Sequence, residues 1–116
     1  MTYKVQYMSS ALKDLYKLDR DQQERVIKAI KKVSQNPLPN YKGGLGKPLG
    51  ARNGSNLTGF LKIKLKKDGI RIVYKLIEID SVMYIVVIGA RSDDQVYIEA
   101  NKRKQQIEKW GKIYVR

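Results

Sequence analysis

Lysine occupies every second position from Lys62 to Lys66, and Arg71 and Lys75 follow beyond Asp68-Gly69. An Asp-Gly pair between alternating runs is a strong signal for a tight β-hairpin. A two-residue turn there sets Lys67 opposite Ile70, Lys66 opposite Arg71, Lys64 opposite Val73 and Lys62 opposite Lys75. Opposed residues share a face, and faces alternate along a strand. Lys62, Lys64, Lys66, Arg71 and Lys75 are therefore expected on one side, with Ile63, Leu65, Ile70, Ile72, Tyr74 and Leu76 on the other. Like charges placed opposite each other cost stability, and an anionic ligand relieves that cost. The plainer alternative is the solvated face of an edge hairpin; the charge geometry favours a ligand.

Such a cluster permits particular chemistry. Neighbouring ammonium groups disfavour one another's charge, which lets a lysine act as a base near neutral pH. The same charges stabilise the extra negative charge that develops on a phosphate under attack. The chain has no histidine, so any proton transfer must proceed without imidazole. It also has no cysteine, which excludes disulfides and thiolate metal sites and leaves only carboxylates as strong ligands. No metal and no cofactor are expected.

The surrounding composition points the same way. Twenty-four Lys and Arg face eleven Asp and Glu, a formal net charge of +13, with a pI near 10.0. A chain this basic attracts polyanions. No apolar run approaches the length of a spanning helix, the longest being Val82 to Ile88, so nucleic acid is favoured over membrane. The N-terminus lacks the apolar core of a signal peptide, giving a cytoplasmic expectation. A length of 116 residues suits one domain, 1–116, with a basic C-terminal helix and tail from about residue 93.

The elements that must hold the cluster can be read from periodicity. Thr2 to Tyr7 alternates as a strand, and Ser9 and Ser10 can cap a helix over Ala11 to Leu18. Asp19 or Asp21 can cap a second helix, with Val26, Ile27, Ile30 and Val33 on one face, ended by Asn36-Pro37. Asn36 to Gly59 reads as a long loop with three prolines, six glycines and no acid, carrying Lys42, Lys47 and Arg52. Phe60 to Lys67, Ile70 to Ile79 and Val82 to Arg91 read as strands, the last central. Ser92, Asp93 or Asp94 can cap a final helix to about Lys109, leaving Trp110 to Arg116 frayed or as a short docked strand. The expected class is α+β: a small antiparallel-dominated sheet of about four strands, an N-terminal helical hairpin on one face, and a C-terminal helix. All helices are expected in one layer, leaving the other face open.

The runs Leu61-Lys62-Ile63-Lys64-Leu65, Gly69-Ile70-Arg71-Ile72-Val73-Tyr74, Gly89-Ala90-Arg91 and Val96-Tyr97 resemble the RelE branch of the RelE/ParE toxin superfamily. The opening strand and Ala11-Leu12-Lys13 fit too, so the resemblance covers residues 2 to 105. It implies an mRNA interferase that cuts in the ribosomal A site without a metal, the 2′-hydroxyl attacking the adjacent phosphate to leave a 2′,3′-cyclic phosphate. By that resemblance Lys62 and Lys64 activate the hydroxyl and hold the phosphate. Arg71 stabilises the developing charge, Arg91 assists the leaving 5′-oxygen, and Tyr97 stacks on a base. Lys66, Lys75, Lys47 and Arg52 are expected to bind RNA. Tyr97 has a simpler reading as a helix tyrosine packing on the sheet. The chain departs from the family pattern at Ala90, often basic, at Leu61, often aromatic, and in the longer glycine-rich loop. These departures bear on cutting rate and codon preference.

Arg91 carries a condition. A two-residue turn at Asp80-Ser81 sets Arg71 opposite Ala90 and sends Arg91 to the helix side. A longer turn, a bulge or the end of the strand is therefore expected. The family further implies an acidic antitoxin as partner, beside mRNA and the ribosome, with a toxin that is monomeric alone and hetero-oligomeric with its antitoxin. Two alternatives share the fold: a ParE-like inhibitor of DNA gyrase, and an RNA-binding homologue that never cuts.

Overall fold

The Asp19 carboxylate accepts from the Gln22 backbone N–H at 2.8 Å, and the Gln22 side chain accepts from the Asp19 N–H in return. This capping box satisfies donors that a helix start leaves unpaired and opens α2 (Arg20–Ser34). The computed structural model describes residues 2–52, 55–90 and 92–114, with backbone alone at 51, 52, 55 and 108–114. Before α2 come β1 (Lys4–Tyr7) and α1 (Ser9–Tyr16). After it the loop holds a 3₁₀ turn (Asn40–Lys42) and three two-residue strands, β2 (Lys47–Pro48), β3 (Ala51–Arg52) and β4 (Ser55–Asn56). The remainder is β5 (Phe60–Leu65), β6 (Ile70–Ile77), β7 (Val82–Gly89) and α3 (Asp93–Tyr114).

The main sheet has five strands in the order β1-β7-β6-β5-β2, one more than expected, and β3 pairs only with β4. Among the described strand pairs of this sheet β1–β7 is parallel and the others are antiparallel. β7 is buried along Val82–Ile88, as its β-branched run requires of an interior strand. α1 and α2 cover the face bearing Ile70, Ile72 and Tyr74, using Ala11, Leu15, Val26, Ile30 and Val33.

Three expectations need correction. The second sheet face is not open: α3 lies on it, with Val96 against Gly89 and with Val96, Tyr97, Ala100 and Ile107 buried. A 116-residue chain with this much apolar β-sheet uses both faces to bury it. Residues 110–114 continue α3 rather than fraying or forming a strand. The hairpin turn has four residues, Lys66–Gly69, so Leu65 pairs with Ile70 and Lys64 with Arg71. Gly69 takes a φ of +66°, which the turn needs and glycine supplies cheaply. The shift from the expected register is two residues, so every side chain still paired in the hairpin keeps its face, while Lys66, expected on the basic face, passes into the turn.

The β6–β7 pairing shows the expected irregularity in more than one form. Ile77 pairs with Val82, leaving a four-residue connection; a bulge follows, and the strand ends at Gly89. Across the bulge Val73 pairs with Val87 and Tyr74 with Ile85, so Val86 has no partner on β6. Its carbonyl accepts from Arg103 Nη1 at 2.7 Å, and Arg103 also donates to Asp14 Oδ2 at 2.7 Å. Asp14 Oδ2 accepts from the Ile88 N–H at 3.1 Å as well. This pair joins α1 to α3 around the edge of β7, just past the end of β1.

Removing the cation of a largely buried ion pair leaves the carboxylate stranded, at a cost of about 3 kcal/mol or more. Arg103→Ala should lower unfolding stability by that amount in urea titration, and Asp14→Ala by less, because Arg103 keeps its pair with Glu99 at 2.9 Å. A loss below about 1 kcal/mol, the scale of an exposed pair, would show that the junction is peripheral.

Candidate functional site

The basic face forms where β5 and β6 meet the start of α3. Lys64 pairs across from Arg71, Lys62 from Val73 and Phe60 from Lys75. Within the hairpin the like-charge pairs expected at Lys62/Lys75 and Lys66/Arg71 are therefore replaced by one, Lys64/Arg71, and a second, Lys47/Lys62, forms between β2 and β5. Lys62 Nζ donates to the Tyr97 hydroxyl at 2.7 Å and lies 5.5 Å from the centre of its ring. Tyr97 is 6 % exposed, so it packs on the sheet as its simpler reading held, while still bonding the first lysine. A ring so enclosed meets a ligand only along the part that lines the neighbouring cavity.

A carboxylate completes the cluster. Asp93, the first residue of α3, takes a hydrogen bond from Arg71 Nε at 2.5 Å, and its other oxygen lies 3.8 Å from Lys62 Nζ. Arg71 Nη1 also donates to the Gly69 carbonyl at 2.9 Å. Burial alone would raise the Asp93 carboxyl; the Arg71 hydrogen bond and the charges of Lys62, Arg71 and Lys64 outweigh it and hold it below the usual carboxylate range. The sequence offers Asp93 only as a possible helix cap, and even that role falls to Ser92, whose Oγ accepts from the Gln95 N–H. The missed signal was positional: α3 starts only four residues after Gly89, the residue that pairs with Arg71.

The other expected RNA contacts separate. Lys47 joins the site, pairing in the sheet with Lys62 and lining with it a cavity of about 360 Å³. Lys75 sits at the far end of the hairpin with its Nζ 4.9 Å above the buried Phe60 ring. Lys66 lies in the turn, on a groove shared with Arg25 and Lys28 of α2. Arg91 and the Arg52 side chain fall outside the described residues. Among the described residues no cluster of three or more His, Cys, Asp or Glu side chains could hold a metal ion. No helix there is long and apolar enough to cross a membrane.

The loop that walls the cavity is held by close packing. The buried Tyr74 hydroxyl donates to the Pro37 carbonyl at 2.8 Å, and burial raises its pKa. A Cβ at Gly46 would come within 2.1 Å of that hydroxyl, and one at Gly44 within 1.9 Å of the Leu38 carbonyl oxygen. Only glycine fits at either place. The arrangement is thus a cationic cleft on rigid strands, with one internal carboxylate and a walled cavity beside Lys62.

Known proteins carry the same pattern. The family described as ParE toxin of type II toxin-antitoxin system, parDE, matches residues 5–95. The mRNA interferase toxin RelE of Escherichia coli (strain K12) is 30 % identical over 103 residues, covering 89 % of this chain and 98 % of the relative. A double mutant of the E. coli toxin RelE in the free state has a similar fold, with a TM-score of 0.69 at 28 % identity over 89 % of this chain and 98 % of that one. The intact E. coli RelBE toxin-antitoxin complex gives 0.60 at 25 % identity, over 78 % and 99 %. The match of most of the chain to the family, and of nearly the whole length of these relatives to the chain, establishes that it belongs to the RelE/ParE toxin superfamily, as a RelE-type toxin of the type II toxin–antitoxin class.

Proposed function

We propose that this toxin is an endoribonuclease that cuts messenger RNA, in the ribosomal A site and without a metal. The observation that carries the reading is Lys62, Lys64 and Arg71 on one face of two paired strands, with Lys62 Nζ bonded to the Tyr97 hydroxyl. The name of the E. coli relative, an mRNA interferase, supports it. In the reaction a 2′-hydroxyl gives up its proton to a lysine acting as the base, and the 2′-oxygen bonds to phosphorus. The bond from phosphorus to the 5′-oxygen breaks, leaving a 2′,3′-cyclic phosphate and a 5′-hydroxyl that takes up a proton. Lys62 and Lys64 serve as base and phosphate holder, and Arg71 meets the charge that grows on the phosphate. Tyr97 keeps Lys62 in place; Arg91 is assigned to the leaving oxygen by resemblance alone.

Asp93 changes the energetics of substrate entry. A phosphate that seats on Arg71 must take the place of a carboxylate already there. An acidic antitoxin, by likeness to RelE in the RelBE complex, suits a chain of net charge +13. The same charge suits a ribosomal RNA backbone, with affinity falling steeply in salt. The ParE description of the matching family favours one other reading, inhibition of DNA gyrase with RNA left intact.

Primer extension on mRNA in a translating extract tests the choice. Wild type is expected to leave discrete stops, and Lys62→Ala or Arg71→Ala to cut about 10²-fold less, the scale of losing one transition-state donor. Intact mRNA together with blocked supercoiling would establish the gyrase reading instead. Asp93→Asn should tighten binding of single-stranded RNA by about tenfold at low salt in fluorescence anisotropy; unchanged affinity would mean that Asp93 does not compete. The Asp93 carboxyl is lowered in the folded state, so its link to Arg71 stabilises the fold above the usual carboxylate range and is lost as pH falls through the lowered value. Wild type should therefore lose more stability than Asp93→Asn as pH falls from neutral through and below the usual carboxylate range, in urea titrations.

A further inference from the structure

The cavity beside Lys62 has two chemically different parts. Leu49, Leu57 and Tyr97 give it apolar wall, while Asn40 and Lys47 stand on it with polar ends. Leu57 and Tyr97 are buried, so they form its depth, and Asn40 and Lys47 are exposed at its rim. At about 360 Å³ it is the size of a small-molecule site. Its walls are fixed by backbone bonds: Leu49 N–H to the Phe60 carbonyl at 2.9 Å, Leu57 N–H to the Gly50 carbonyl at 3.2 Å, and Asn40 N–H to the Gly46 carbonyl at 2.8 Å. Among the described residues nothing bonds the Asn40 side-chain amide or the Lys47 ammonium.

A phosphate alone would use the lysines and the tyrosine hydroxyl but leave the leucine walls without a partner. A purely apolar ligand would have no use for an amide and an ammonium. A flat heterocycle with donors and acceptors around its edge fits both parts. Lys62 belongs at once to the basic face and to the cavity, so a group one sugar away from a phosphate held there falls into the cavity. Splayed bases of single-stranded RNA are recognised in this way, by apolar contact on the ring and hydrogen bonds on the edge. An asparagine amide offers a donor and an acceptor together, which discriminates between bases; a lysine offers donors to carbonyl and ring-nitrogen acceptors.

We infer that this cavity seats a nucleobase flanking the phosphate held at Lys62, and that Asn40 and Lys47 read its edge and so set the base preference. The inference rests on the proposed RNA-cutting function for its ligand class, yet binding tests it without any cutting. Affinities of the four nucleoside 3′-monophosphates and of inorganic phosphate are measured by calorimetry on wild type, Asn40→Ala and Gly50→Phe. Gly50 lines the cavity, and a Cβ there meets nothing within 4 Å, so the variant is expected to fold; a crystal structure of it first verifies that the ring fills the space.

At least one nucleotide should bind about tenfold more tightly than inorganic phosphate. Asn40→Ala should reduce the gap between the best and worst base by about fivefold or more, the scale of a lost edge contact. Gly50→Phe should bring all four nucleotides down to the level of inorganic phosphate while leaving phosphate binding unchanged. The inference is overturned if no nucleotide outbinds phosphate, or if the base preference survives Gly50→Phe. A wild type that discriminates bases but never cuts would remove the endonuclease reading and leave the cavity assignment standing. One that cuts but binds no nucleotide above phosphate would do the reverse.

Discussion

The Asp14–Arg103 pair holds the molecule's two helical layers to one sheet. β1 stops at Tyr7, and β7 runs on past it to Gly89. Beyond that point β7 has backbone groups with no strand beside them, and the bulge at Val86 adds a carbonyl that β6 does not take. Unpaired backbone groups at a buried strand are costly. Here a carboxylate from α1 takes the Ile88 N–H, and a guanidinium from α3 takes the Val86 carbonyl. Because the two side chains also bond each other, α3 is seated relative to the sheet by the same contact. Ten residues earlier on that helix stands Asp93, against Arg71, with Tyr97 between them against Lys62. The geometry of the basic cleft thus depends on a junction on the other edge of β7, at the level where Gly89 pairs with Arg71.

The cleft is also a solution to an electrostatic problem. Lys62, Lys64 and Arg71 on adjoining strands repel one another, and a folded chain must carry them whether or not a polyanion is present. Asp93 supplies the counter-charge from within. The Tyr97 hydroxyl accepts a hydrogen bond from Lys62, and the Gly69 carbonyl accepts one from the Arg71 guanidinium. The cations are therefore held in place before a ligand arrives, which lowers the ordering cost of binding, at the expense of a carboxylate that must be displaced.

The face composition of the hairpin was legible because strand parity survives an error of two. Asp68-Gly69 reads as a complete turn, but the Asp68 carboxylate accepts two bonds from Arg25 of α2. A side chain committed to a helix cannot be placed by local turn statistics, and the wider turn follows. The α2 cap was legible as Asp19 or Asp21, and the Gln22 side chain, which completes a capping box with Asp19, selects the first. The bulge could be anticipated from the conflict between Arg71 and Arg91, though not located. What stayed hidden was tertiary. Nothing in the spacing of Val96, Tyr97, Ala100 and Ile107 says which sheet face they cover, so neither the Asp93 contact nor the cavity could be read. The loop from Asn36 to Gly59 was legible as a loop but not as a wall, because two-residue strands leave no periodic trace.

The capped stretch of β7 has a bearing on how the protein fails. Val82–Ile88 is a continuous apolar run with high strand propensity, and only its first half is flanked by β1. The second half is shielded from a foreign strand by two charged side chains rather than by another strand. Charged groups at a sheet edge are a known guard against intermolecular pairing. A chain that loosens α3 therefore bares an aggregation-prone segment before it loses its overall shape, and self-association would precede unfolding as the route by which the toxin is inactivated.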